Sequence, residues 1–198
     1  MFRREVPNLR SREEAFAAFE EAVAPYEKQV YHTCLRMMGS PEDAQDCAQE
    51  AMLKAFRGFS RFEGRSKLST WLYSIAANVC VDALRKRREA LSLDVMRESG
   101  WEVADETPDA YERLEQGERR RLIREALREV PPDFRAVLIL VDLEGLNYQE
   151  AAEALALPLG TVKSRISRAR NMLMKSLLKQ PELFEAPLRH KGERRDER

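Results

Sequence analysis

The sequence predicts an all-α protein made of two small helical domains joined by a flexible acidic linker, the second domain ending in a helix-turn-helix. Signals for β-strands are nearly absent, because the one tempting apolar run, residues 137–141, lies inside a helix-period pattern. Helix breakers such as Pro131-Pro132 separate the amphipathic segments. The predicted organisation is a domain over residues 12–88, a linker over 89–111, a second domain over 112–179 and a disordered charged tail over 180–198.

The first predicted domain opens with one helix near Glu13–Met38, which stops at Gly39. Ser40 and Pro41 then suit the N-cap and the first turn of a second helix that continues to about Phe59. Small residues at helical spacing predict its inner face, namely Ala44, Cys47, Ala48, Ala51 and Ala55. The outer face forms an acidic ridge of Asp43, Asp46, Gln49 and Glu50. A merely solvated face explains this ridge equally well on pattern alone.

A third helix is predicted over Trp71–Arg88, after a loop at residues 60–68 and a cap at Ser69 or Thr70. Apolar residues surround most of it, so it should be largely buried. One polar stripe interrupts them, formed by Trp71, Ser74, Asn78, Asp82 and Arg85. An aromatic ring beside polar and cationic side chains is typical of a nucleic-acid stacking surface. The alternative is that Trp71 anchors the core and that Asn78 is a buried, satisfied amide.

The second domain is predicted to hold helices near Glu112–Val130, Asp133–Leu143 and Tyr148–Ala156. A break at Pro158–Gly160 and a cap at Thr161 would then start the last helix. Its apolar stripe consists of Val162, Ile166, Ala169, Leu173 and Leu177, and the opposite face carries Ser164, Ser167, Arg168 and Asn171. A helix buried on one side that presents donors and cations on the other suits the major groove of DNA.

Charge is distributed unevenly along a chain whose 34 basic and 34 acidic residues cancel overall. Residues 154–181 contain six basic side chains and no acid. Residues 53–88 are also predominantly basic, and residues 89–118 are acidic. These blocks favour DNA binding through two separate surfaces over an ordinary amphipathic surface helix.

Several classes of protein are disfavoured by what the sequence contains. The three cysteines, Cys34, Cys47 and Cys80, show no CxxC spacing and are predicted to be reduced core residues. With His32 and His190 as the only histidines, we expect no metal site. No nucleophile–base pair or phosphate-binding loop is visible, so neither an enzyme nor a cofactor is expected. No apolar run approaches a membrane span, and we expect a cytoplasmic protein without membrane insertion.

Three motifs, in order along the chain, resemble the extracytoplasmic-function (ECF) class of bacterial RNA polymerase sigma factors. AQDCAQEAMLKAFRGFSRFEG resembles the family's core-binding helix and the loop after it. STWLYSIAANVCVDALRKRR resembles its promoter −10 helix. LREVPPDFRAVLILVDLEGLNYQEAAEAL, followed by GTVKSRISRARNML, resembles its −35-binding domain. The resemblance implies a sigma factor that binds core polymerase, recognises both promoter elements and promotes melting at −10.

The resemblance also implies partners and residue roles. Core polymerase would be contacted at the β′ clamp helices and the β flap, promoter DNA would be the second partner, and an anti-sigma factor a regulatory one. The residues placed at the clamp helices are Asp43, Asp46, Gln49 and Glu50. Those placed at the −10 element are Phe62 and Asn78 at a flipped base, Trp71 at the start of the −10 helix, and Arg85, Lys86, Arg87 and Arg88 at upstream phosphates. Those placed at the −35 element are Lys163, Ser164, Arg165, Ser167, Arg168 and Arg170.

One departure from the family pattern lies in the loop. Many relatives have Phe-Arg-Gly followed by an acid, whereas this chain has Phe62-Glu63-Gly64-Arg65, so the family's −10 base preference does not transfer. The main rival interpretation is a dimeric helix-turn-helix regulator that is not a polymerase subunit. That rival leaves the acidic ridge and the Trp71 stripe unexplained. A protein that acts only through protein contacts would leave the acid-free helix unexplained.

Overall fold

The computed structural model describes the backbone of residues 12–94 and 111–180 and the side chains of 13–88 and 119–180. A first block contains α1 (Arg12–Val23), α2 (Glu27–Met38), α3 (Pro41–Phe59) and α4 (Leu68–Asp94). A second block contains α5 (Tyr111–Glu129), α6 (Pro132–Leu138), α7 (Tyr148–Ala154) and α8 (Leu159–Leu177). The described residues include no strand, and the all-α prediction is confirmed. Residues 95–110 of the predicted linker and 181–198 of the tail lie outside the described ranges.

The single opening helix predicted near Glu13–Met38 is wrong. A short 3-10 turn over Ala24–Tyr26 separates α1 from α2. Pro25 is the physical cause, because proline has no backbone N–H to donate and its ring clashes with the preceding turn. The predicted stop at Gly39 is confirmed: its φ is 77° and its N–H donates to the Leu35 carbonyl at 2.8 Å.

The start of α3 follows the predicted cap. The Ser40 hydroxyl accepts a hydrogen bond from the Asp43 N–H at 3.4 Å, and Pro41 occupies the first turn. Four of the five predicted inner-face residues are buried, and the fifth, Ala48, packs partly buried against the same core. Cys34, Cys47 and Cys80 are buried free thiols, as predicted. Hydrogen bonds with the other two thiols and burial raise the pKa of Cys80, which keeps it in the thiol form.

Helix α4 is longer than predicted at both ends. It begins at Leu68, so the predicted cap at Ser69 or Thr70 is wrong, and it continues past Arg88 to Asp94. Its apolar residues fill the centre of the first block; Leu72, Ala76, Val79 and Cys80 are at most 2% exposed. The prediction of a largely buried helix is confirmed for the part whose side chains are described.

The turn of the helix-turn-helix differs from the prediction. Helix α7 begins with a capping box between Asn147 and Glu150 and ends at Ala154. The chain reverses at Ala156, which has a left-handed φ of 50°, and the Leu157 N–H donates to the Ala152 carbonyl at 2.9 Å. The predicted break at 158–160 is therefore two residues late. The predicted Thr161 cap is wrong, because Pro158 is the N-cap and α8 has already begun at Leu159.

Helix α6 also changes form at its end. Residues Ile139–Leu143 widen into a π-helix, where a single continuous helix was predicted. The Glu144 N–H donates to the Ile139 carbonyl at 2.9 Å, and Gly145 follows with φ 73°. Glu144 thus lies on a wide turn next to α2 of the first block.

The two blocks are packed against each other, which the sequence did not predict. Ala136 and Ile139 of the second block belong to the hydrophobic core of the first. Ala77 of α4 belongs in turn to the core of the second block. Tyr73 and Leu155 pack against both cores.

Arg135 adds a polar connection between the blocks. Its side chain is buried and donates to the carbonyls of Val130, Arg128 and Met37, the last of which lies at the end of α2. Burial and the neighbouring Arg128 charge lower the pKa of Arg135 to about 10. The group therefore remains charged at neutral pH and satisfies backbone acceptors that burial would otherwise leave without donors.

Candidate nucleic-acid interface

The exposed face of α8 is the most clearly formed of the predicted DNA-binding surfaces. Val162, Ile166 and Ala169 are at most 2% exposed, which fixes the orientation of the helix on the second core. Leu173 and Leu177, the last two residues of the predicted stripe, are partly buried. The exposed polar residues of α8 are Lys163, Ser164, Ser167, Arg168, Arg170, Asn171 and Lys175. The predicted separation into a buried stripe and a polar, cationic face is confirmed.

Arg165 and Arg170 of α8 are engaged by acids of the same block. The Arg165 guanidinium is 3.8 Å from the Asp133 carboxylate and lies 5.9 Å from the centre of the Phe134 ring. Arg170 makes two hydrogen bonds to Asp142, at 2.9 and 2.6 Å. This pairing raises the pKa of Arg170 above its ordinary value. DNA must therefore compete with a carboxylate for each of these two cations.

A shallow cleft of about 300 Å³ lies at the loop before α4. Its lining residues are Arg61, Phe62, Glu63, Arg65, Ser66 and Trp71. The Phe62 and Trp71 rings are 4.9 Å apart and inclined by 34°, close to an offset stack. The cleft thus combines an aromatic floor with charged rims, a composition that accepts an unstacked base.

The loop departure leaves an ion pair in the cleft. Glu63 and Arg65 approach to 2.6 Å on either side of Gly64, whose φ is 68°. Both side chains are more than 60% exposed. The left-handed glycine brings the two charges together.

Asn78 does not belong to this cleft. It lies seven residues along α4 from Trp71, roughly 10 Å by helical rise. Its side chain is exposed, so the alternative of a buried amide is wrong. The amide donates instead to the Ala154 carbonyl at the end of α7, at 3.0 Å. Trp71 was predicted to be either a core residue or part of a stacking surface. In the structure it is partly buried against the first core and its ring also lies against that of Phe62.

The basic end of α4 is also partly engaged. Arg85 is 2.5 Å from the Asp133 carboxylate of the second block. Arg87 is 2.9 Å from Asp43 on α3. Lys86 and Arg88 are exposed. The sequence had assigned Asp43 and Arg87 to different partners, polymerase and DNA, and the structure pairs them with each other.

The acidic ridge is exposed over most of its length. Asp46, Gln49 and Glu50 are exposed, and Asp43 is half-buried by its pair with Arg87. Glu50 also pairs with Lys54 one turn later, at 3.0 Å. Beside the ridge, Phe16, Leu53 and Phe56 line an apolar groove of about 370 Å³, of which Gln49 forms part of the edge. A charged ridge bordered by apolar surface is a suitable composition for binding a helical partner.

Family comparisons match this arrangement on both blocks. The family model for sigma-70 region 2 matches residues 22–90, and that for sigma-70 region 4 matches residues 120–173. The ECF RNA polymerase sigma factor SigW of Bacillus subtilis is 36% identical over 170 residues, covering 81% of this chain and 89% of that protein. The chain belongs to the ECF sigma factors. The RNA polymerase sigma-H factor of Pseudomonas aeruginosa is also 36% identical, over 85% of this chain and 90% of its own length.

Solved structures of sigma factors share the fold. RpoE of Bartonella quintana, in complex with the anti-sigma factor NepR, superposes with a TM-score of 0.63 at 26% identity, over 82% of this chain and 98% of that one. CnrH, in complex with the cytosolic domain of CnrY, superposes with a TM-score of 0.56 at 25% identity, over 83% and 90% of the two chains. The chain is an alternative sigma factor that directs transcription initiation, and the two blocks correspond to the family's regions 2 and 4.

Sequence reasoning missed the acids that oppose this sigma factor's cations. Asp133, Asp142 and Glu144 were visible as charges, yet their partners lie 28 to 115 residues away along the chain. Within the described residues, no helix is long and apolar enough to cross a membrane, and no cluster of metal-ligating side chains is present.

Proposed function

We propose that the two blocks of this sigma factor have separate functions. The first block binds core RNA polymerase through the acidic ridge and takes a −10 base into the Phe62–Trp71 cleft. The second block binds the −35 element through the exposed face of α8. In this proposal, residues 12–88 form the domain that binds core polymerase and the −10 element, and residues 112–179 form the domain that binds the −35 element.

The observation that carries the −35 assignment is the face of α8. Val162, Ile166 and Ala169 on its apolar side are at most 2% exposed, so the orientation of the opposite side is fixed. That side presents two hydroxyls, an amide and cations without a carboxylate on the same helix. Each good bidentate contact from such a donor to a base edge contributes roughly 1–3 kcal/mol of discrimination.

The −10 assignment follows from the cleft before α4. A base that leaves the stack loses a few kcal/mol, and stacking on an aromatic side chain returns about 1–3 kcal/mol of it. The Phe62–Trp71 pair supplies that surface, and the exposed Lys86 and Arg88 supply cations for neighbouring phosphates. Asn78 lies beyond the cleft and can act on the strand only when its bond to Ala154 is released.

Core binding can be tested with charge reversal on the ridge. The variant Asp46→Lys/Glu50→Lys should fold normally, because both side chains are exposed, and should lose binding to purified core polymerase. The matched control is Glu13→Lys/Glu21→Lys on α1, which changes the net charge equally at exposed positions and should bind normally. Normal core binding by the ridge variant would refute the ridge assignment.

Transcription from a promoter library with purified core polymerase separates this proposal from its rival. A sigma factor yields new start sites that the core enzyme alone does not produce. A dimeric regulator would instead bind DNA without polymerase and elute as a dimer. A failure of the wild-type protein to produce any new start site would refute the proposed function as a whole.

A further inference from the structure

The three cysteines of the chain meet inside the first block, although they lie far apart in the sequence. Cys34 lies on α2, Cys47 on α3 and Cys80 on α4, and all three belong to one hydrophobic core. The Cys80 thiol is hydrogen-bonded with the sulfur atoms of both others. A buried cysteine acts as a small hydrophobic residue, so packing alone does not require three thiols in contact. Neither the promoter assignment nor the polymerase assignment uses them.

Cys47 differs from the other two thiols in exposure and in acidity. It is 6% exposed, whereas Cys34 and Cys80 are completely buried. Hydrogen bonding with the Cys80 thiol lowers the pKa of Cys47, although burial and the carboxylates of the acidic ridge act in the opposite direction. The thiolate is the reactive form of cysteine. Cys47 is therefore the thiol of the three that a small oxidant reaches and attacks most readily.

We infer that Cys47 and Cys80 form an oxidation site, in which a hydroperoxide oxidises Cys47, Cys80 closes a disulfide with it, and the disulfide weakens binding to core polymerase. The effect on binding rests on the proposed assignment of the acidic ridge to polymerase. Cysteines that sense oxidants commonly combine a reactive thiol with a second thiol beside it that resolves the first product. In reducing compartments such disulfides are usually transient.

The chemistry proceeds in two balanced steps with hydrogen peroxide as the oxidant. The Cys47 thiolate attacks one peroxide oxygen, so that an S–O bond forms, the O–O bond breaks and hydroxide leaves with the electron pair. Cys47 is then a sulfenic acid. The Cys80 sulfur attacks the Cys47 sulfur, the S–S bond forms, the S–O bond breaks, and the departing hydroxyl takes the Cys80 proton to leave as water. Two thiols have lost two electrons, and one peroxide has gained them.

The surroundings of Cys80 favour the second step. The Cys47 charge is one of the causes that raise the pKa of Cys80. This charge disappears when Cys47 becomes a sulfenic acid. The Arg135 guanidinium is also close enough for its charge to interact with Cys80. A neighbouring cation favours the thiolate that attacks the sulfenic sulfur.

Helix α3 carries both the reacting thiol and the acidic ridge. Cys47 directly follows Asp46 in the sequence, but it points into the core. On the same inner face, Ala44, Ala51 and Ala55 are at most 2% exposed, and a close-packed interior transmits displacements. A sulfur–sulfur bond is shorter than the hydrogen bond that it replaces, so α3 must shift or rotate against α4. The ridge moves with α3, and we expect the affinity for core polymerase to fall about fivefold or more.

Peptide mapping of the oxidised protein tests the disulfide directly. Trypsin releases the three cysteines in separate peptides, residues 29–36, 37–54 and 68–85. The folded, reduced protein is treated with hydrogen peroxide, the remaining thiols are alkylated in denaturant, and the peptides are identified by mass spectrometry. We expect peptides 37–54 and 68–85 to be joined and peptide 29–36 to be alkylated. Any other pairing, a sulfonic acid without a link, or three alkylated cysteines would overturn the inference.

Binding to purified core polymerase tests the consequence of the disulfide. Cys34→Ala is the matched control, because it keeps the proposed pair, whereas Cys47→Ala removes the reactive thiol. We expect peroxide to weaken binding by the wild type and by Cys34→Ala, dithiothreitol to restore it, and Cys47→Ala to be unaffected. Restoration by dithiothreitol also separates this effect from methionine oxidation, which dithiothreitol does not reverse.

Equal affinity of the oxidised and reduced wild type, or a loss of affinity in Cys47→Ala as large as in the wild type, would overturn the regulatory consequence. Circular dichroism checks that both variants fold. If Cys47→Ala does not fold, the peptide map and the dithiothreitol reversal on the wild type decide instead. A reduced wild type that does not bind core polymerase would refute the proposed function, and the regulatory consequence with it, whereas the thiol pair is judged by the peptide map alone.

Discussion

Replacing Arg135 by methionine tests how the polar connection between the blocks contributes to stability. Methionine keeps most of the side-chain length and apolar contact of arginine but removes all donors. The carbonyls of Val130, Arg128 and Met37 would then lose their guanidinium partner. Because Arg135 is 4% exposed, water cannot easily replace it.

The magnitude follows from two opposing quantities. A hydrogen bond from a charged group contributes about 1.5–3 kcal/mol, so three carbonyls represent roughly 4–9 kcal/mol. Desolvation of the guanidinium opposes this. Burial lowers its pKa to about 10, which corresponds to a cost of roughly 3 kcal/mol relative to a guanidinium in water. We therefore expect Arg135→Met to lower the free energy of unfolding by about 1–6 kcal/mol.

Urea denaturation followed by circular dichroism at neutral pH measures this difference. Arg168→Met is the matched control, because Arg168 lies exposed in the same block and its replacement should change stability by less than about 0.5 kcal/mol. An Arg135→Met protein as stable as the wild type would show that the desolvation of the guanidinium outweighs its hydrogen bonds, and the reasoning would fail.

Further predictions concern DNA binding and the backbone. Arg168→Ala should change the order of preference among −35 sequences, whereas Arg170→Ala should weaken all of them similarly; titrations against a −35 library decide this. Asn78→Ala should leave the melting temperature nearly unchanged but impair open-complex formation, with a smaller defect on a template already melted at −10, as permanganate reactivity would show. Gly39→Ala should lower the free energy of unfolding by roughly 1–2 kcal/mol, because its φ is positive and an arginine side chain fills the Cβ position. Ala156→Gly should raise it by about 0.5–1 kcal/mol, since glycine adopts the observed left-handed φ without strain; urea denaturation measures both.

Local features of the fold were predictable because their causes are local. The cap at Ser40, the stop at Gly39 and the buried stripe of α8 each depend on residues within a few positions of one another. The errors in predicting the helix-turn-helix arose at Ala156, which has an unusual backbone conformation. Alanine rarely adopts a positive φ, so the sequence placed the break at Pro158–Gly160 and missed the reversal at Ala156.

The interface between the blocks was not predictable in the same way. Glu144 and its donors on α2 are separated by 108 to 115 residues, and nothing in their own neighbourhoods marks them as partners. The sequence therefore described the linker as a flexible tether between independent domains. The helical wheel placed Asn78 on one stripe with Trp71, and the family resemblance placed Asn78 with Phe62 at a flipped base. The structure separates Asn78 from the Phe62–Trp71 cleft, because a helical wheel gives direction around the axis but not distance along it.

The pairing of cations with acids affects how this sigma factor should respond to salt. Arg85 and Arg165 face Asp133, Arg170 faces Asp142, and Arg87 faces Asp43. A phosphate that binds a free cation releases a counterion, and each such contact contributes to the salt dependence of DNA affinity. A phosphate that displaces a carboxylate releases a protein charge instead, so the salt slope per contact is smaller and non-specific binding is weaker. The affinity for a specific promoter should decrease less, because base contacts and the polymerase hold the protein in place while the phosphate replaces the carboxylate. The equal numbers of basic and acidic residues, 34 of each, are consistent with this pairing of cations with acids. If the proposed assignment of these surfaces to the promoter holds, the neighbouring acids should weaken attachment to arbitrary DNA while leaving the cations available to the promoter.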